Sequence, residues 1–175
     1  MSIDSHQVRL HNISIDPCEA PEGFFEQAEE ALLKIHELNI GKRLFERIAK
    51  VDFPVTINYR KGCMGLCVVQ GCANALNVAI KIDFNTAVTY PDLNLQEHIL
   101  PSFVSLAHEL IHAMHHTTDT NCAGDRADKL IWTDDEEYNT MVGFTEDAIT
   151  EHAFERELRI PLRLSHIEFV PDNSV

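Results

Sequence analysis

The residues HELIHAMHH at 108–116 bring metal-ligating and proton-handling side chains onto one short stretch. On a helix, His108 and His112 stand one turn apart on the same face, so both imidazoles can reach a single metal ion. Glu109 lies beside them, where its carboxylate can touch water at the ion without being a ligand. Two ligands and a base at this spacing suit metal-assisted hydrolysis. The competing explanation is an amphipathic surface helix with exposed histidines. Around the pair the sequence does alternate by face: Phe103, Val104, Leu106, Ala107, Leu110, Ile111, Ala113 and Met114 fill one side. Ser105, His108, Glu109, His112, His115 and His116 fill the other.

A catalytic zinc takes three protein ligands and keeps a fourth position open. Downstream carboxylates available as the third are Glu136, Glu137, Glu146, Glu151 and Glu155. Thr133 followed by Glu136 reads as a capping box, which would hold the Glu136 carboxylate at its own helix end. Glu137, about 100° further round the first turn, is then the residue expected to face the histidines, with Glu151 next in line.

These residues need elements to position them. QVRLHNISI (7–15) alternates as a first strand, and PEGFFEQAEEALLKIHELNI has helical apolar spacing from Pro21 to about residue 39. Gly41 reads as a break before a second short helix, KRLFERIAKV. VTINYR (55–60) and ANALNVAIKIDF (73–84) are rich in β-branched residues and read as strands, whereas KGCMG and NTAVTYPDLN read as turns or loops. Pro101 opens the helix of the HELIH segment, and HTTDTNCAGDRADK (116–129) is a polar loop. TDDEEYNTMVG gives a short helix ending at Gly143, DAITEHAFEREL a further helix, and the tail RIPLRLSHIEFVPDNSV an extended segment. Without repeats or a linker, residues 1–175 read as one α+β domain with its helical half C-terminal.

Composition narrows the partners. A net charge of −14 disfavours nucleic acid and anionic membranes. No apolar run is long enough to span a bilayer, and MSIDSHQVRLHN has neither the basic nor the apolar part of a classical signal peptide. The expectation is a chain made in the cytoplasm. Five cysteines, an odd number, fit a reduced compartment. The spacing in CMGLCVVQGC is not the CxxC of zinc ribbons, so buried or free thiols are expected there.

HELIHAMHH, then EEYNTMVG (136–143), then ITEHAFERELRIPLRLSH (149–166) resembles the NleD-like secreted effector metallopeptidases of bacterial pathogens. Their pattern is HELIHA, EExxT with a nearby Gly, and a segment like TENxxRxExGxPxR. NIGKRLFERI (39–48) is similar to the segment before their first central strands, so the resemblance covers about residues 39–166. EExxT after HELIH is also similar to the clostridial neurotoxin light chains, in which the second Glu of the pair binds zinc; here that residue is Glu137. The resemblance implies a zincin fold, with a small twisted sheet on the HExxH helix and a helical C-terminal part. It implies a zinc endopeptidase that acts, as a monomer, on a protein of a target cell and is exported by a specialised secretion system. It further implies that Arg163 stabilises an oxyanion. The chain departs from the pattern at His152, where Asn is frequent, and at His166, where Tyr often follows the Arg by three residues. A protonated ring nitrogen on His166 can donate as a Tyr hydroxyl does.

Two other functions fit the same motif. A peptide deformylase also carries HExxH, with a Cys ligand that would have to be Cys72, although its HExxH helix lies near the C-terminus and this chain runs on about sixty residues. A metal-stabilised binding module would use the groove without turnover, but such a site has no need of Glu109.

Overall fold

The computed structural model describes residues 12–50, 53–70, 77–92, 94–117 and 135–163. The elements run β1 (Ile13–Asp16), α1 (Phe24–Glu37), α2 (Asn39–Ile48), β2 (Val55–Tyr59), β3 (Leu66–Gln70) and β4 (Asn77–Ile82). They continue with β5 (Val88–Pro91), β6 (Glu97–Leu100), α3 (Ser102–Thr117), α4 (Asp135–Met141) and α5 (Glu151–Leu158). The fold is α+β, as expected.

Four strands form one sheet in the order β1-β2-β4-β3. β1, β2 and β4 are parallel, while β3 runs antiparallel to β4 and forms an edge. Alternation sends Val55 and Ile57 of β2, with Val78, Ile80 and Ile82 of β4, to one face, where they are buried. α1, α2 and α3 pack into the same core through Leu32, Ile35, Leu44, Ile48, Leu106, Leu110 and Ile111. Each such side chain stabilises the fold by about 1.5–3 kcal/mol relative to exposure. A smaller cluster of Val88, Tyr90, Leu100 and Val104 ties the β5–β6 hairpin to the start of α3. Among the described residues no helix is long and apolar enough to cross a membrane.

Several boundaries differ from the sequence reading. Gly41 lies inside α2, and the chain breaks at Leu38, whose backbone is extended. A Cβ on Gly41 would run into the Ile35 carbonyl, so the glycine permits close packing of α2 on the end of α1. NTAVTYPDLN contains β5 rather than a loop, because pairing with β6 satisfies a backbone that local sequence leaves undecided. β3, in the cysteine-bearing stretch, was likewise not anticipated. α5 starts at Glu151, not Asp147, since Thr150 is its N-cap and accepts a hydrogen bond from the Ala153 N–H. The strand of 73–84 is described over Asn77–Ile82 and the first strand over Ile13–Asp16. The loop of 116–129 falls outside the described residues beyond Thr117, as does the tail beyond Arg163.

Candidate metal centre

α3 is buried all round: beside its apolar side, Ser105, His108, Glu109, His112 and His115 are buried too. α4 and α5 cover this polar side, so every group on it needs a partner within the protein or a ligand.

His108, His112 and Glu137 form a group that can hold a metal ion. The two Nε2 atoms lie 3.0 Å apart. Glu137 offers one carboxylate oxygen 3.2 Å from the His112 Nε2 and the other 3.5 Å from the His108 Nε2. Ligands about 2.0–2.1 Å from one tetrahedral ion stand about 3.3 Å apart, and these separations bracket that value.

The far side of each ring is anchored. His108 Nδ1 donates to Glu151 at 2.6 Å, and His112 Nδ1 donates to Glu136 at 3.1 Å. With the Nδ1 protons so placed, both Nε2 atoms carry lone pairs and face each other. Two lone pairs at that distance repel unless a proton or a metal ion lies between them. Charge points the same way: Glu109, Glu136, Glu137 and Glu151 are four carboxylates around these rings, and among the described residues Arg163 places a permanent cation beside them. Burial works against protonation of His108, yet the bonds to Glu137 and Glu151 outweigh it and push its pKa up to about 10. His112 is raised as well, with burial again outweighed by Glu136 and Glu137. Surroundings that hold protons this firmly suit a dication.

Glu136 has a role that the capping box did not foresee: it faces α3. Its Oε1 accepts from His112 Nδ1, from His115 Nδ1 at 2.7 Å and from the Thr140 hydroxyl at 3.2 Å. Thr133, the other half of the expected capping box, lies outside the described residues. Both Glu136 and Glu137 therefore face α3. The 100° between them sends one to Nδ1 and the other to Nε2, an outcome that spacing on one helix does not reveal. Glu151 lies outside this group, as the partner of the other nitrogen of His108.

Glu109 is buried beside the triad, on the wall of a cavity of about 310 Å³ that His108, Gly65 and Arg163 also line. Burial raises its pKa; the neighbouring imidazoles and a hydrogen bond from the Cys67 N–H oppose that rise. A Cβ at Gly65 would stand 2.5 Å from the Glu109 Oε1, so only glycine leaves this carboxylate its place. Sequence reasoning missed Gly65, Ser105, His115 and Thr140. Polar type and helical spacing marked Ser105 and His115, but nothing local marked Gly65.

Arg163 is held by α5 at three points. Its N–H donates to both oxygens of Glu155, and its carbonyl accepts from His152 Nε2 at 2.9 Å. Its guanidinium reaches Glu151 at 3.5 Å. Burial lowers the His152 pKa, which keeps that ring neutral. Burial, then the Glu151 charge, pushes the Glu155 carboxyl up to about 8. Arg163 also bridges to Asp92 at the end of β5. His166 lies outside the described residues.

Cys18, Cys63 and Cys67 are free thiols. Burial, with Glu109 and Glu136 nearby, pushes Cys67 up to about 12, far from a metal-binding thiolate. Cys72 and Cys122 lie outside the described residues. No family model, curated protein or solved structure matches the chain.

Proposed function

We propose that the protein is a zinc-dependent endopeptidase with a zincin-like domain, acting on a protein of a target cell after export by a specialised secretion system. The observation that carries the reading is the group of buried His108 and His112 with half-buried Glu137, and Glu109 at its side, where His108 and Glu109 line a cavity. The ordered resemblance of the three C-terminal segments to NleD-like effector metallopeptidases supports the same conclusion. Substrate class, zincin architecture and route of export rest on that resemblance.

His108, His112 and Glu137 would hold the ion, and Glu151 and Glu136 fix the ring orientations that turn both Nε2 atoms towards its position. A zinc ion there supplies Lewis acidity, polarising a carbonyl and acidifying water. Glu109 takes the proton of the attacking water on its carboxylate and returns it to the leaving nitrogen. Its burial makes the carboxylate a better proton acceptor than one in water. Arg163, on the same cavity wall, steadies negative charge on the carbonyl oxygen, and His166 is the proposed second donor. β3 is an edge strand, and its Cys67 N–H turns away from β4 towards Glu109. An extended peptide pairing with that edge would run past the catalytic carboxylate.

The test compares new N-termini in target-cell lysate treated with wild type and with Glu109→Gln. The variant keeps all three ligands and is expected to bind zinc normally while losing at least about a hundredfold in cleavage. Equal cleavage by the two proteins sinks the mechanism.

A further inference from the structure

We infer that the cavity beside His108 and Glu109 is a specificity pocket for an uncharged side chain ending in an amide, glutamine above all, and that Ser105 reads that amide. The inference rests on the peptidase reading for its role in turnover, but the binding chemistry stands on the pocket itself.

Ser105 is 7% exposed, and its Oγ has no hydrogen-bond partner among the described residues. A helical serine commonly satisfies its hydroxyl on the carbonyl four residues back. Here the Pro101 carbonyl takes the Val104 N–H at 2.8 Å and the Ser105 N–H at 3.4 Å, while the hydroxyl makes no bond. Arg163 is 6% exposed, and its Nε is a second buried polar atom with no hydrogen-bond partner among the described residues. Both residues line the same cavity of about 310 Å³. Buried polar atoms are seldom left unsatisfied, so two of them on one pocket wall point to a ligand that completes them.

The rest of the wall selects the ligand. Met64, Val88 and Leu100 give it an apolar stretch suited to a short methylene shaft. Glu109 and Arg163 place charges of opposite sign on it, so a charged end of either sign meets a like charge as well as an opposite one and gains little for the cost of leaving water. A neutral end escapes both. An amide carries a carbonyl that can accept from the Arg163 Nε–H and an NH₂ that can donate to the Ser105 Oγ, whereas a hydroxyl offers a single atom for both tasks. A site built to hydrogen-bond a polar end rejects the isosteric apolar end, because its own groups are then left unpaired.

The experiment uses zinc-loaded protein, wild type and Ser105→Ala, with two readouts. One is an NMR titration with N-acetylglutamine N-methylamide and with its near-isostere N-acetylmethionine N-methylamide. The other is cleavage of a positional library of acetylated hexapeptides. The expected result is glutamine bound at least tenfold tighter than methionine and preferred at one library position. Both preferences should fall below about threefold in Ser105→Ala. Binding preference with no cleavage of any peptide supports the pocket and overturns the peptidase reading. Cleavage without a glutamine preference, equal affinity for the two probes, or a preference undiminished in Ser105→Ala overturns the pocket assignment while peptidase activity stands. Neither binding nor cleavage overturns both.

Discussion

Two layers meet on α3 and hold together by opposite means. Between α3 and the sheet, Leu106, Leu110 and Ile111 pack with Ile57, Ile80 and Ile82, and stability follows the apolar area removed from water. Between α3 and the helices α4 and α5, the buried groups are imidazoles and carboxylates: His108 with Glu151, and His112 and His115 with Glu136. Taking those charges out of water costs free energy that their pairing returns only when each partner is present. The apolar layer tolerates exchange of one hydrocarbon for another of similar volume. The polar layer does not, because its members are fixed by direction as well as by contact. That directed geometry is what the proposed metal site requires.

The largest effect that can break this contrast is expected at Glu137. Glu137→Ala removes one of the three atoms around the metal position and one of its negative charges. Zinc affinity should fall by about three orders of magnitude or more, measured by competition against a chelating indicator, while helical content persists. Full retention of zinc would move the third ligand elsewhere and reduce the polar layer to packing.

A pair of variants sharpens the contrast. Ile80→Ala opens the apolar layer and should lower unfolding stability by about 2–5 kcal/mol in urea, with zinc affinity little changed in the folded protein. Glu151→Gln does the reverse. The amide keeps the volume but weakens the hold on His108 Nδ1, and zinc affinity should drop about 10- to 100-fold. If Ile80→Ala costs the metal as much as Glu151→Gln does, the two layers are not separable.

The contrast also explains what the sequence disclosed. β2, β4 and α1 follow from periodicity and β-branched runs, since apolar burial writes a regular pattern along the chain. The two histidines of the metal-facing group follow from spacing, and Glu137 from its place in the first turn of its helix and the neurotoxin-like pairing. The contacts of Glu136 with α3 were not foreseen, because a capping box is a local rule, whereas its Oε1 answers to His112 and His115 more than twenty residues away. Gly65 and β3 were missed for the same reason. The glycine is required only because Glu109 sits against it, and the strand is held by its partner β4. Long-range polar and backbone pairings leave no period to read.

The smallest effect tests whether the C-terminal helix is tied to the apolar half by a directed polar contact as well. α2 has no side-chain cap of its own; Glu157, from α5, accepts from the Asn39 N–H at 2.7 Å, the Ile40 N–H at 3.0 Å and the Asn39 side chain. What burial there is would raise the Glu157 pKa, but these bonds from Ile40 and Asn39 outweigh it and the pKa is lowered. A carboxylate with a depressed folded pKa adds stability above its unfolded pKa of about 4.3, and that stability is lost as pH falls through the folded value. Glu157 is exposed, so solvent screens part of the charge contribution, and the whole effect should match a modest N-cap. Glu157→Ala should therefore cost about 0.5–2 kcal/mol at pH 7. As the pH falls below the unfolded value the gap between the variant and wild type should narrow. Urea unfolding of both proteins across that range measures it. A gap that stays constant would mean that α5 holds α2 by packing alone, and that the directed contacts end at the metal-facing layer.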